Sequence, residues 1–465
     1  MTVTAERFDI VVVGGGPGGY AAALYAANAG LSVAVVEKDK VGGTCLHRGC
    51  IPAKEFLETA SVFRTVAGAK EFGVQAEQPT VEFPVSQQRK QKVVDQLHKG
   101  LSGLLKRRKV TIVEGTGQLA PHHTVKVSDG SELKADHVIL ATGSVPRTLP
   151  GFEVDGRYVM TSDEVLALEE LPTSAAIIGG GSIGCEFASM LSDLGVHVVL
   201  LEALPKLLPG CDQDVVDVVA RSFKRRGIDV RVGVEVKGHE PGDGTTTVSF
   251  GEGEQVTVDT VVVSVGRRPL SDDLLLDGTG VETDDRGFVK VDERCRTAAA
   301  GVYAVGDVIA TPQLAHVGFA EAIVVVKDIL GETSVPVDYA RVPWCIYCHP
   351  EVAFAGMSEQ AARDAGYDVV TKKDPYGPNG RALIVGDTEG MVKVIAEKGP
   401  DGQAGRILGV HMVGPWVTEQ LGQAYLAVNW EASPAEVAHF IQPHPTLSEV
   451  FGETVLALTG RGLHA

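Results

Sequence analysis

Ile10-Val-Val-Val-Gly14-Gly-Gly16-Pro-Gly-Gly19 contains the first apolar strand of the chain, and its pattern returns as Ala176-Ile-Ile-Gly179-Gly-Gly181-Ser-Ile-Gly184. Each copy runs on to a second apolar strand closed by an acid, Val33-Ala-Val-Val-Glu37 and Val198-Val-Leu-Leu-Glu202. Glycines and acid recur at one offset of 165 residues, so a single strand–helix–strand unit has been used twice. The glycines at the first, third and sixth places permit a tight turn, close approach of backbone to a pyrophosphate, and close packing of helix on strand. The phosphates would lie at a helix N-terminus, where unpaired amides and the helix dipole favour negative charge. The acid, about 20 residues on, accepts hydrogen bonds from an adenosine ribose. One fingerprint alone is also an ordinary tight turn; two in register argue for two dinucleotide sites. Glu202 would repel a 2′-phosphate, which favours NAD over NADP at the second site, with Lys206 the nearby cation.

The 465 residues exceed one hydrophobic core, so two to four domains are expected. Hydrophobic residues at 44% and charged residues at 22% are ordinary globular usage, with no low-complexity tract. A net charge of −18 argues against nucleic acid, because nothing would neutralise a row of phosphates. No run of 18 apolar residues exists to span a membrane, and Met1–Asp9 lacks the basic-then-apolar pattern of a secretory signal. Seven cysteines in so long a chain do not make a disulfide scaffold, which fits a cytoplasmic protein with one special pair.

Val93, Val94, Leu97, Leu101, Leu104 and Leu105 predict a packing helix with one apolar face. After the second unit, Thr246–Phe250, Val256–Val258, Val261–Val265 and Gly287–Val291 read as strands. From about Arg341 the pattern changes to strand-like Arg381–Val385 and Gly390–Ile395, then helix from Glu419, which suggests a separate α+β domain.

Directly after the first unit stands Gly42-Gly-Thr-Cys45-Leu-His-Arg-Gly-Cys50-Ile-Pro-Ala-Lys54. Five residues apart in an ideal helix, Cα atoms are separated by about 8 Å. A disulfide needs about 4.4–6.8 Å. If Cys45 and Cys50 bond, the backbone must be distorted at Gly49, with Pro52 in the first turn of the next helix. Strain of that kind makes a disulfide easier to reduce. Two inert buried thiols would show the same spacing. What distinguishes this pair is its position beside the dinucleotide unit and Lys54 one turn on, whose charge would lower a thiol pKa. Cys345-Ile-Tyr-Cys348 has a rival spacing in an extended context, where residues three apart face opposite sides. These two, and the isolated Cys185, Cys211 and Cys295, read as packing cysteines.

Those segments, with Ala141-Thr-Gly143, Val265-Gly-Arg-Arg-Pro269, Tyr303-Ala-Val-Gly-Asp307 and His444-Pro-Thr-Leu-Ser-Glu449 in the same order, resemble the pyridine nucleotide–disulfide oxidoreductases over essentially the whole chain. The resemblance implies two Rossmann-like dinucleotide-binding domains plus a C-terminal α+β dimerisation domain. Their expected extents are 1–149 for FAD, 150–272 for NAD, 273–342 for a central domain completing the FAD site, and 343–465 for the interface. It implies FAD held by Gly14, Gly16, Gly19, Glu37, Lys38, Gly43, Thr44, Lys54, Gly117, Thr142, Gly143, Asp307 and Ala315. NAD would be held by Gly179, Gly181, Gly184, Glu202, Val236 and Gly266. Lys54 would pair with Glu186 beside the flavin; Cys45 would exchange with substrate and Cys50 would face the ring. His444 and Glu449, from the other subunit of a homodimer, would form the acid–base pair. The activity implied is oxidation of dihydrolipoamide, carried on the lipoyl domain of a 2-oxoacid dehydrogenase or glycine cleavage complex, with reduction of NAD. No metal is implied.

Two departures from the family pattern stand out. Ile441-Gln-Pro precedes His444 where relatives often carry another His, and Cys345 and Cys348 replace residues usually not cysteine. The rival within the class is an NAD(P)H-dependent reductase of a low-molecular-weight disulfide. A mercuric reductase is weakened by a C-terminus, Thr459–Ala465, without a cysteine pair, and a soluble transhydrogenase would not need Cys45 and Cys50. From another class comes a docking or redox-sensing flavoprotein, against which the complete catalytic set argues.

Overall fold

The computed structural model describes residues 6–464. The segment read as lacking a secretory signal therefore lies partly outside the described residues. No helix among them is long and apolar enough to cross a membrane.

The molecule is α/β, with the two fingerprint units at the centres of two sheets, the first carrying an antiparallel edge of Thr124–Val127 and Gly117–Ala120 beyond its parallel strands. In the first, strands run Thr111–Glu114, Val33–Glu37, Glu6–Val13 and Glu132–Leu140, all parallel. Val302–Ala304 adds a further parallel strand beside Glu132–Leu140. That late strand returns the chain to the first unit and sets Asp307, in the turn after it, at the carboxyl ends of the strands. The apolar runs explain the placement: Ile10–Val13 and Val33–Val36 are almost wholly buried, as strands covered on both faces require. The second sheet orders Asp229–Val232, His197–Glu202, Ser174–Ile178, Thr260–Val263 and Val159–Met160, again parallel. A two-stranded ribbon, Ser144–Pro146 against Arg267–Pro269, joins the two units.

The C-terminal part is an antiparallel sheet in the order Trp344–Ile346, Glu351–Gly356, Ala404–Gly414, Met391–Lys398, Val369–Pro375. Helices Val417–Asn429 and Glu449–Leu458 bury Leu421, Ala424, Val450 and Phe451 in its core. The expected α+β character of this region is therefore present.

Three sequence expectations change in detail. Arg381–Val385 lies in a helix, Gly380–Val385, rather than a strand. Asn379 caps it, its side-chain oxygen accepting from the Ala382 amide at 2.9 Å, and Gly386 ends it in the left-handed region. The caps override the β-forming residues between them. Gly287–Val291 is not a strand; only Val289 pairs, bridging Thr283 and Ile309. Asp284 takes the amides of Arg286 and Phe288 and turns the chain there. The helix Phe83–Arg107 forms, but of its expected apolar face Leu97 stays exposed while Val94 and Leu105 are buried. Thr246–Phe250, Glu254–Val258 and Thr260–Val263 are strands.

Candidate active site

The two units superpose in their constraints. Gly14 has φ +104° and Gly179 +106°, and a Cβ on either would strike a backbone carbonyl, Ala141 or Ser264. A Cβ on Gly19 or Gly184 would run into the carbonyl of Gly14 or Gly179, so the helix packs on the turn only without a side chain. Gly16 and Gly181 differ. A Cβ on Gly16 meets nothing nearer than Gly43 at 4.0 Å, and one on Gly181 meets nothing within 4 Å. Their open side faces outward at N-termini that no side chain caps, leaving the first amides available to an anion. Each closing acid braces its own turn. Glu37 accepts from the Gly15 and Asp39 amides at 2.7 and 2.9 Å, and Glu202 from Gly180 and Leu204 at 2.6 and 2.7 Å. Each carboxylate oxygen keeps a lone pair for a ribose hydroxyl.

These features fit bound dinucleotides. A cavity of about 580 Å³ lies beside Glu37, lined also by Asp39, Lys40, His98 and Thr111. A second, of about 320 Å³, lies between the units and is lined by Gly266, Arg147, Arg267 and Gln313. One consequence is testable. Gly181→Ala has room for its methyl in this fold, so the protein should fold and keep its flavin while NADH affinity falls by about tenfold or more. Fluorescence titration with NADH measures this; unchanged affinity would exclude phosphate contact at Gly181.

The other expected residues are distributed as follows. Asp307 accepts from Ser144 Oγ at 2.6 Å, with Arg267 Nε 3.9 Å away. Thr142 donates to the Leu270 carbonyl at 2.6 Å, and Gly143 takes φ +74°. Gly117 sits inside the first sheet, where a Cβ would press on Val13, Val36 and Val125 at 3.0–3.3 Å. Lys38 follows Glu37 at the strand end, Val236 begins the strand Val236–Pro241, and Ala315 begins the helix Ala315–Ile329.

Cys45 stands in a short helix, Gly43–His47, and Cys50 begins the next, Cys50–Gly68. The break falls at Arg48 and Gly49, and Pro52 lies in the new first turn, where its missing N–H is no loss. Gly49 is needed because a Cβ there would press on the Thr44 carbonyl at 3.0 Å. The break places the two cysteines on either side of it, and both are free thiols. The neighbouring Cys45 thiol holds the Cys50 pKa down to about 7, and the Lys54 ammonium lowers it further against the opposing effect of desolvation. Cys45 is pushed up by the neighbouring Cys50 and by burial. Lys54 Nζ lies 2.9 and 2.8 Å from the two Glu186 oxygens, across from the second unit's helix.

His444 and Glu449 also meet: Nδ1 to Oε1 is 2.8 Å, and the other Glu449 oxygen accepts from the Thr446 amide at 2.7 Å. A proton on Nδ1 toward Glu449 leaves Nε2 as the free base. The His444 side chain is 79% exposed, and its hydrogen bond to Glu449 does not involve either sulfur. The packing cysteines behave as expected. Cys345 lies on the strand Trp344–Ile346 against the C-terminal core, while Cys348 is buried in the core of the second unit, on the opposite side.

Sequence reading missed three residues. Arg267 donates to Ser144 Oγ at 2.7 Å beside Asp307; it stands next to Gly266 in a motif read only for its glycine. Glu321, wholly buried, accepts from the Gly306 amide at 2.6 Å and from Thr311 at 2.8 Å, fixing the Asp307 turn. Burial raises its pKa to about 7, and no local signal marks it. Tyr347, between the two rival cysteines, donates its amide to Glu186 Oε1 at 2.9 Å.

Residues 8–322 match the family described as pyridine nucleotide-disulphide oxidoreductase, and residues 342–455 its dimerisation domain. A dihydrolipoyl dehydrogenase of Bacillus subtilis is 42% identical, the alignment covering 99% of this chain and 100% of that protein. One from Rhizobium etli is 37% identical over 99% of this chain and 100% of its own length. Among solved structures, LpdA from Mycobacterium tuberculosis has a TM-score of 0.90 at 26% identity, covering 98% of this chain and 100% of that one. The HOCl-induced flavoprotein disulfide reductase RclA from Escherichia coli has a TM-score of 0.86 at 27% identity, covering 96% and 99%. Matched in chain order by both family descriptions, with the paired glycine turns and the cysteine pair at the helix break, this chain belongs to the pyridine nucleotide–disulphide oxidoreductases.

Proposed function

We propose that the chain is an FAD-dependent dihydrolipoyl dehydrogenase, which oxidises protein-bound dihydrolipoamide to lipoamide and reduces NAD+ to NADH. The observation that carries it is the placement of Cys45 and Cys50 on the two sides of the helix break, with the Lys54–Glu186 pair one turn on, in a chain whose full-length relatives bear that name. FAD occupies the first unit and the Asp307 turn, and NAD the second unit. Bound FAD supplies the passage of an electron pair between dithiol and nicotinamide.

The chain's own residues do the rest. A dihydrolipoyl thiol, with a pKa of about 8.5 or above by analogy with cysteine, is mostly protonated at neutral pH. His444 Nε2 takes its proton while Glu449 stabilises the charged ring. The thiolate attacks Cys45 of the Cys45–Cys50 disulfide; the S–S bond breaks, a mixed disulfide forms, and Cys50 leaves as a thiolate beside Lys54. The second substrate thiol then attacks the substrate sulfur of the mixed disulfide, releasing lipoamide and reduced Cys45. Two electrons and two protons have entered the protein, and the electron pair leaves by way of Cys50.

His444 works on a partner's Cys45 in this reading, as part of a homodimer. Its exposure supports that, together with large apolar side chains left on the surface: Ile441 at 96%, Trp430 at 74%, Phe440 at 68% and Trp416 at 53%. A lipoyl domain as docking partner, a cytoplasmic setting and the four-part division at 149, 272 and 342 complete the proposal. A steady-state panel tests it: dihydrolipoamide with NAD+ against small disulfides with NADH and with NADPH. Turnover with lipoamide is the expected result. Activity only on another disulfide would overturn the substrate and leave the sulfur chemistry standing.

A further inference from the structure

The Lys54–Glu186 pair is held from a third side. Lys54 comes from the first unit, Glu186 from the second, and Tyr347 from the C-terminal sheet, just past the strand Trp344–Ile346. The Tyr347 amide donates to Glu186 Oε1 at 2.9 Å, and Lys54 Nζ stands over the Tyr347 ring, 5.0 Å from its centroid. An ammonium over an aromatic face is attracted by the ring quadrupole, more so where water is excluded. Neighbouring Cys345 and Cys348 fix the segment by burying its two sides, Cys348 completely.

We infer that Tyr347 is a positioning residue of the redox centre, whose ring and amide set the Lys54–Glu186 pair and through it the charge felt by Cys50. The inference rests on the proposed role of Cys50. It assigns to the C-terminal domain a direct hold on the sulfur chemistry, apart from the acid–base pair it carries. The groups whose charge bears on Cys50 include Cys45, Lys54, Glu186, Arg267 and Tyr20; those around Tyr347 include Cys345, Lys54, Glu186, Glu351 and Glu419. Lys54 and Glu186 are common to both sets, Glu186 through the Tyr347 amide and Lys54 through the ring, so a change confined to the ring reaches Cys50 by way of the ammonium.

The test measures the pH midpoint of Cys50 alkylation in the two-electron-reduced holoenzyme, each cysteine resolved by mass spectrometry. Tyr347→Leu keeps the amide and removes the aromatic face; the Cys50 midpoint should rise by about half to one pH unit. Tyr347→Phe keeps the face and should leave it unchanged. Tetrafluoro- or pentafluorophenylalanine at 347 keeps the shape while weakening the quadrupole, and should give a graded rise even if the leucine variant fails to fold. An equal shift in Tyr347→Phe, or no shift across the fluorinated series, would overturn the inference. Loss of the thiolate that titrates near neutrality in Cys50→Ser, against its persistence in Cys45→Ser, separates failure here from failure of the sulfur assignment.

Discussion

Cys45→Ser should fold, retain its flavin and lose at least about 10³-fold in lipoamide turnover, because no sulfur remains to form the mixed disulfide. Cys50→Ser should lose as much: the disulfide is absent there too, and the outgoing electron pair has no thiolate to leave from. The two variants separate by pH. In reduced wild-type protein Cys50 is held down to about 7 by the neighbouring Cys45 thiol and by Lys54, so its thiolate is present above that pH and lost below it. Cys45 is shifted the other way and stays a thiol through neutrality. In Cys45→Ser the Cys50 midpoint should remain below the ordinary thiol value, because Ser still donates and Lys54 remains. Lys54→Met should raise it by about one unit or more. Residue-resolved alkylation across pH 5–9 reads each midpoint. A Cys50 midpoint that stays near 7 in Lys54→Met would remove the ammonium from the account.

His444→Gln is expected to lower dihydrolipoamide oxidation by about 10²–10⁴-fold at pH 7, the usual contribution of a positioned base. The side chain is mostly exposed, so the loss should come without a matching loss of stability. The defect should shrink as pH rises toward the thiol pKa of about 8.5, since substrate then ionises unaided. Reduction of an artificial acceptor by NADH uses neither the substrate thiol nor His444, and should be unchanged. Glu449→Gln should show a smaller loss, as it keeps an acceptor for Nδ1 at 2.8 Å but loses the carboxylate charge that steadies the protonated ring. A pH-independent defect in His444→Gln would mean that the residue shapes the site rather than moving the proton.

Much of this site is legible in one dimension because its parts are local. Glycines, strand and acid of each nucleotide unit lie close together in the chain, and the first and sixth glycines of each answer to a clash with their own turn or an adjacent strand. The helix break at Gly49 follows from the same kind of short-range argument. Legibility fails where a cap or a distant partner decides. Arg381–Val385 has strand-forming residues, yet Asn379 and Gly386 close it into a helix. Gly287–Val291 alternates like a strand but is turned by Asp284. Glu321 and Arg267 carry no pattern at all; their importance lies in the Gly306 amide and in Ser144, 15 and 123 positions away.

By itself the sequence determined the repeated nucleotide unit, the candidate sulfur pair and the residue types able to serve it, since backbone sterics and side-chain pKa are properties of short segments. The tertiary structure decided how charge is arranged around those sulfurs. Lys54, Glu186 and Tyr347 come from three parts of the chain, and their distances exist only once those parts have packed into one shared hydrophobic core around Phe56, Phe187 and Cys348. An ion pair acts over a few ångströms of space, and nothing in residue order encodes that length.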